Sequence, residues 1–206
     1  MSADAAPIDL EWLRRRFAQA IATDTIYGDQ GVRPGAENLH AASVLVPIVA
    51  RAEEPTVLFT QRTAHLKNHS GQISFPGGRA EDSDASPELT ALRETWEEVG
   101  LPAERIEILG RLSEYHTRTG YRITPVVGIV QLPFELAPDA NEVAEVFEVP
   151  LSFLLDVRNH QRHAREFQGE QRHFFAIPYQ DRYIWGATAG MLVNLSRYLS
   201  SDQDRA

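Results

Sequence analysis

Residues 86–101 read S-P-E-L-T-A-L-R-E-T-W-E-E-V-G-L, and their punctuation predicts a helix. Ser86 is a good N-cap, and Pro87 sits in the first turn, where its missing N–H costs nothing. Gly100 can take the left-handed conformation that closes a helix, and Pro102 prevents its continuation. Leu89, Leu92, Trp96 and Val99 recur at intervals of three, four and three residues, which predicts one apolar seam facing the core. Glu94, Glu97 and Glu98 then fall together on the opposite side. A solvated acidic face is one explanation. Against it, like charges at i,i+3 and i,i+4 repel by about 0.2–0.5 kcal/mol per pair, and the helix dipole disfavours anions in the last turns. Three carboxylates at this spacing instead suit a hard divalent cation that takes oxygen ligands, Mg²⁺ or Mn²⁺. Arg93, adjacent in sequence, is placed to pair with one Glu and fix its rotamer.

Upstream lies F-P-G-G-R, residues 75–79. The paired glycines Gly77 and Gly78 permit a tight turn and a close approach of backbone to a ligand. Further out, residues 42–51 and 56–61 are β-branched and apolar and are separated by Glu53-Glu54-Pro55, which predicts a hairpin. A polar loop, residues 63–72, follows. Strands are expected at 106–112, 121–131, 143–149, 163–167, 173–179 and 183–185, a short helix opens at Pro150, and a last helix covers 187–199. Near the start, Asp9 caps a helix with Leu10, Leu13, Phe17 and Ile21 on one stripe. Its Arg14-Arg15-Arg16 run is read as a solvated face, and residues 24–40 as a linker. The apolar stripe is expected to pack on its own domain or on a second subunit of a homodimer. Strands mixed with a few helices give an α/β (α+β) fold, a mixed β-sheet between helices.

Composition bounds the function. The 206 residues hold 43% apolar and 24% charged residues, as in an ordinary soluble globular domain. A chain of this size buries about 70% of the surface its unfolded form exposes, enough for one core. With 20 basic against 29 acidic residues the net charge is −9, which disfavours a nucleic-acid partner. Cysteine is absent, which excludes disulfides, Cys-zinc sites, iron–sulfur clusters and a thiol nucleophile. No apolar run approaches the roughly 18 residues of a membrane span, and the start lacks the regions of a signal peptide, so a cytoplasmic setting without a membrane partner is expected. H-E-x-x-H does not occur, which removes a zinc-protease reading.

Gly78, five residues, Asp84, then R-E-x-x-E-E-x-G-L over residues 93–101 resembles the Nudix box of hydrolases acting on nucleoside diphosphate derivatives. The family pattern has Glu at the position of Asp84 and seven residues before the Arg, where this chain has eight. Residues 58–78, L-F-T-Q-R-T-A-H-L-K-N-H-S-G-Q-I-S-F-P-G-G, look like the signature of the coenzyme A pyrophosphatase branch. Thr60, Arg62, Gly71 and residues 75–78 match in register, whereas Thr63 stands for the usual Ser or Ala and Lys67 for the usual Arg. The longer spacing before Arg93 also occurs in that branch, and residues 119–128 and 184–189 look like its later segments. The resemblance covers residues from about 42 to 199, so residues 1–35 are set apart as an N-terminal helix and linker and 36–202 as the Nudix domain.

The resemblance implies an α/β/α sandwich and metal-dependent hydrolysis of the diphosphate of coenzyme A or acyl-coenzyme A. Glu94, Glu97 and Glu98 would hold Mg²⁺ or Mn²⁺, with Arg93 beside them. The base is open among Glu97, Glu142 and Glu145, the latter two from the acidic segment N-E-V-A-E-V-F-E, residues 141–148. Arg62, Lys67, Gly71, Phe75, Gly77, Gly78 and Arg79 are the expected substrate-binding residues. Lys67 is the only lysine and lies in a loop with Arg62, His65 and His69, where charge-assisted hydrogen bonds can hold phosphate. The alternatives are a Nudix hydrolase of another diphosphate (ADP-ribose, a nucleoside diphosphate sugar, a dinucleotide) and a non-catalytic ligand sensor on the same fold.

Overall fold

The computed structural model describes residues 8–19, 26–27, 39–65, 70–117, 119–167 and 169–200. Lys67 and His69 lie outside them, as does most of the expected linker.

Strand β2 of the large sheet, numbered after the short β1 (Ile26–Tyr27), spans His40–Val49. Its β-branched run forms the middle of the sheet. On one side it pairs in parallel with β8 (Tyr121–Val130) over its whole length. On the other it meets β3 (Thr56–Arg62) at its C-terminal end and β5 (Gly77–Arg79) at its start, both antiparallel. The hairpin expected from Glu53-Glu54-Pro55 is therefore present, but Gly77-Gly78 is more than a turn. It is an edge strand, β5, registered on Ser43 and Val44. Between β3 and β5, β4 (Ile73–Ser74) pairs with β3. Beyond β8 lie β6 (Ile106–Arg111) and β7 (Tyr115–His116), and beyond β3 lies β9 (Val143–Pro150), all antiparallel to their partners. β1 runs parallel to β7, so part of the expected linker is a strand. The remaining strands β10 (Gln161–Phe167), β11 (Glu170–Tyr179) and β12 (Arg182–Trp185) form a separate antiparallel sheet.

Alternation along the strands sends successive side chains to opposite faces. Val44, Val46, Ile48, Val57, Phe59 and Val149 point to one face, where they meet α1 (Leu10–Ala18), α3 (Leu151–Leu155) and α4 (Gly186–Ser200). Leu45, Val49, Leu58, Val126 and Val130 point to the other face and meet α2 (Pro87–Val99) through Ala91 and Val99. The result is a mixed sheet between helices, as the sequence predicts. Among the described residues, no helix is long and apolar enough to cross a membrane.

Two expectations about helix faces are corrected. Leu89 and Trp96 are 49% and 57% exposed, and the buried side of α2 is Thr90, Ala91, Thr95, Glu98 and Val99. Small side chains let this helix lie close to the sheet, and the large apolar residues are turned outward. In α1, Arg16 is buried rather than solvated and donates to the carbonyls of Tyr198 and Leu199 at the end of α4. Leu13 and Phe17 enter the core, and Phe17 stacks on Tyr198 at 4.7 Å, so the α1 stripe is covered by the chain itself.

Candidate active site

The boundaries of α2 follow its sequence. The Ser86 side chain accepts from the Leu89 N–H at 3.4 Å, and Gly100 takes φ 69° while its N–H caps the Trp96 carbonyl at 2.9 Å. Because the helix is seated on Ala91 and Thr95, its carboxylates do not face away from the sheet. They line the seam between α2 and strands β3 and β5.

Glu98 lies deepest, 5% exposed, accepting from the Gly77 N–H at 3.4 Å, with Arg62 Nη1 3.7 Å away. Burial pushes its pKa up to about 8, partly offset by the Arg62 charge. Glu94 covers Gly78 so closely that a Cβ there would stand 2.5 Å from the carboxylate. Burial raises the pKa of Glu94 as well, against the pull of Arg93. Glu97 is the outermost of the three, its side chain 54% exposed.

Arg93 organises the outer part of this seam. Its Nε and Nη2 meet both oxygens of Asp84 at 3.2 and 2.9 Å, Nη1 reaches Glu94 at 2.9 Å and Glu97 at 3.0 Å, and Nη2 also donates to the Arg79 carbonyl. The Arg93 guanidinium holds the Asp84 carboxyl well below the usual carboxylate range. The shorter Asp side chain is thus still engaged, across the longer spacing of this chain. Sequence reasoning did not assign Asp84 a place, although its signal was present at the variant position of the motif.

The other expected residues divide. Gly77 and Gly78 are brought to the seam, and a Cβ at Gly77 would stand 2.4 Å from the Ser43 carbonyl oxygen. Arg62 is also brought there, and its Nε is buried without a hydrogen-bond partner among the described residues. Arg79 is exposed and contributes its carbonyl to Arg93. Gly71, at φ 69°, lies in the polar loop and accepts from Gln61 Nε2 at 3.4 Å. Phe75, expected among the substrate-binding residues, is 2% exposed, and its ring stacks on Phe59 at 5.1 Å within the core. Trp185, in one of the segments that carry the resemblance, is 39% exposed with its edge against Phe174.

The structure separates the two candidate bases from residues 141–148. Glu142 is exposed and adds to the negative field felt by Glu94 and Glu98. Glu145 is turned to the opposite face, where Arg182 holds both its oxygens at 2.5 and 2.6 Å. Glu145 lies within β9 opposite Gln61, whereas Glu142 lies in the turn before β9, its carbonyl accepting from the Thr63 N–H at 2.9 Å. Arg62 is opposite Val143, so Ala144 is extra and makes a bulge at the start of the strand. Arg182 is 37 residues away in sequence, and no local signal announces it.

The arrangement is an all-oxygen set of carboxylates at the edge of a sheet, with Arg62 and Arg93 flanking it. The expected convergence of Glu94, Glu97 and Glu98 is not preformed. Among the described residues, no three His, Asp or Glu side chains are gathered as a metal site, and Arg93 draws Glu94 and Glu97 to itself. The donor chemistry nevertheless fits a hard divalent cation. Buried Glu98 and half-buried Glu94, whose ionised forms are disfavoured and to which Glu142 adds like charge, are relieved by a cation placed among them.

A family profile described as NUDIX domain matches residues 39–169. Over 159 residues the sequence is 38% identical to the "Uncharacterized Nudix hydrolase NudL" of Yersinia pestis strain Pestoides F, covering 77% of this chain and 79% of that one. The same figures hold for the protein of that name in Yersinia pseudotuberculosis serotype O:1b. Among solved structures, similarity extends to RenU, a Nudix hydrolase from M. smegmatis, at 25% identity and TM-score 0.48 over 66% of this chain and 84% of that chain. It also extends to the NUDIX domain of Shewanella oneidensis NrtR complexed with ADP ribose, at 22% identity and TM-score 0.44 over 61% and 82% of the two chains.

Proposed function

The chain belongs to the Nudix family of hydrolases, and from that premise we propose that its substrate is coenzyme A or an acyl-coenzyme A. Hydrolysis of the diphosphate then yields adenosine 3′,5′-bisphosphate and 4′-phosphopantetheine or its acyl form. One observation carries the reading. The segment resembling the coenzyme A signature, residues 58–78, supplies part of β3, β4 and the start of β5, and brings Arg62 and Gly77-Gly78 beside Glu94 and Glu98.

In this reading Glu94, Glu97 and Glu98 hold Mg²⁺ or Mn²⁺, which when bound neutralises the diphosphate and makes water more acidic. Arg62, with a buried Nε lacking a described partner, supplies charge-assisted hydrogen bonds to a phosphate oxygen. Arg93, anchored on Asp84, sets the rotamers of Glu94 and Glu97. A water attacks phosphorus in line with the bridging oxygen, that P–O bond breaks, and a carboxylate accepts the water proton. Glu142 or Glu97 is that base. Glu145 is not, because Arg182 holds it on the other face.

The test is incubation with coenzyme A and, separately, ADP-ribose, each with Mg²⁺ or Mn²⁺, with products identified by chromatography and mass. Adenosine 3′,5′-bisphosphate released from coenzyme A, and absent with Glu98→Gln, is the expected result. Cleavage of ADP-ribose alone removes the coenzyme A assignment and leaves the hydrolase.

A further inference from the structure

We infer that Thr63 and Asp139 are positioning residues that hold Glu142 against the Glu94–Glu98 seam. The inference rests on the reading of this seam as the hydrolytic site, and not on which diphosphate is cleaved.

Glu142 has an exposed side chain just before β9, in the loop whose Asp139 N–H reaches the Glu98 carbonyl, and its charge acts on Glu94 and Glu98. The restraint on it is in the backbone on either side. The Thr63 N–H donates to the Glu142 carbonyl at 2.9 Å, and the Thr63 hydroxyl donates to the Asn141 carbonyl at 3.0 Å. The same hydroxyl lies 3.5 Å from His65 Nε2. Thr63 is only 6% exposed, so its hydroxyl bonds are largely shielded from competing water.

Asp139 secures the other side. Its carbonyl accepts from Glu142 N–H at 3.0 Å and Val143 N–H at 2.8 Å, and its carboxylate accepts from the backbone and side chain of Asn141 at 2.9 and 2.8 Å. The Asp139 N–H in turn donates to the Glu98 carbonyl at 3.0 Å, and the Ala137 N–H to that of Val99 at 2.8 Å. The loop before β9 is thus fastened to the end of the helix that carries Glu98 and to the end of the strand that carries Arg62. Glu142, Glu98 and Arg62 keep one relation because the same short loop joins all three elements. Where the resembling sequences usually have Ser or Ala, this chain places a hydroxyl whose β-methyl restricts its rotamer.

The experiment is a double-mutant cycle of Thr63→Val and Glu142→Gln, with Thr63→Ser as the conservative variant, measured on whichever diphosphate the wild-type protein cleaves. Thr63→Val keeps the shape and removes the donor. It is expected to lower kcat about tenfold, with KM changed by less than about twofold. Thr63→Ser is expected to restore most of the loss. In the Glu142→Gln background Thr63→Val should cause no further loss, because it acts through that carboxylate. A second readout needs no substrate: amide hydrogen exchange at Asn141, Glu142 and Val143 in the metal-free protein should accelerate in Thr63→Val and in Asp139→Ala, and stay as in wild type in Glu142→Gln. Equal kcat losses from Thr63→Val in both backgrounds, or unchanged exchange in Thr63→Val and Asp139→Ala, overturn the inference. Cleavage of ADP-ribose in place of coenzyme A fails the substrate assignment while the cycle still decides the role of Thr63.

Discussion

The two faces of the large sheet are made by the same strands, yet they treat charge in opposite ways. On the face toward α4, Glu145 is neutralised by Arg182, Thr188 and Ser196 donate to main-chain carbonyls, and aromatic and aliphatic side chains fill the space between. Asn194 Nδ2 is the one buried side-chain atom left unsatisfied there among the described residues. On the face toward α2, Glu98 is buried and Glu94 half-buried near like charges, Arg62 Nε has no partner among the described residues, and the helix is seated on small residues. One face supplies stability. The other concedes some of it to keep anionic oxygens and a guanidinium close together, as reactive sites do.

If that division holds, mutations on the two faces should report in different assays. The largest effect is expected from Phe59→Ala, because Phe59 is fully buried on the α4 face between Phe75 and Phe147. A loss of about 3–5 kcal/mol is expected, read as a fall in Tm of about 10 °C, with activity per folded molecule retained. Next comes Glu98→Gln, for which kcat should fall at least about 100-fold as a metal carboxylate is lost. At pH 7 the metal-free protein should nevertheless melt higher than wild type in EDTA, because folding no longer has to protonate a carboxyl whose pKa is pushed up to about 8. A lower Tm would break the comparison.

A matched pair of glycines sharpens it. Gly78→Ala forces a Cβ into the space of the Glu94 carboxylate, whereas Gly190→Ala forces one to 2.5 Å from the Tyr115 ring under α4. The first should reduce kcat about tenfold or more with little change in Tm. The second should cost about 1–3 kcal/mol by overpacking and leave kcat alone. Kinetics and thermal unfolding on both variants check this crossover. The smallest effect lies at the surface, where Arg111 holds the pKa of Glu88 down to about 2. A carboxylate whose folded pKa is lowered stabilises the fold above its unfolded pKa of about 4.3 and loses that contribution as pH falls toward 2. Urea unfolding of Glu88→Gln should show a deficit of under about 1 kcal/mol at pH 7 that closes by pH 2.

What could be read without coordinates was what local chemistry dictates. The cap at Ser86, the left-handed Gly100 and the β-branched runs of β2 and β8 act on their own neighbours, so their elements fall where the sequence predicts. The orientation of α2 was not legible. Leu89, Leu92, Trp96 and Val99 form the stronger apolar pattern, but tight seating on the sheet selects Ala91 and Thr95, whose smallness carries no hydropathy signal. The parting of Glu142 and Glu145 was hidden for a related reason. It depends on where β9 begins and on its register with β3: Glu145 stands in the strand opposite Gln61, and Glu142 in the turn fastened to Thr63. Likewise Arg16 looks like its two neighbours until the carbonyls of α4 are brought to it.

That last contact spans 183 residues. During synthesis α1 emerges from the ribosome early and must wait for almost the whole sequence before Tyr198 and Leu199 arrive to receive Arg16 and Phe17. Until then only the sheet can receive it, with Phe17 against Gly110 and Arg14 on Glu107 in β6, and closure by the far end of the chain is slow by nature. A stalled or shortened nascent chain therefore exposes Leu13 and Phe17, a greasy handle by which quality control can tell an unfinished molecule from a finished one.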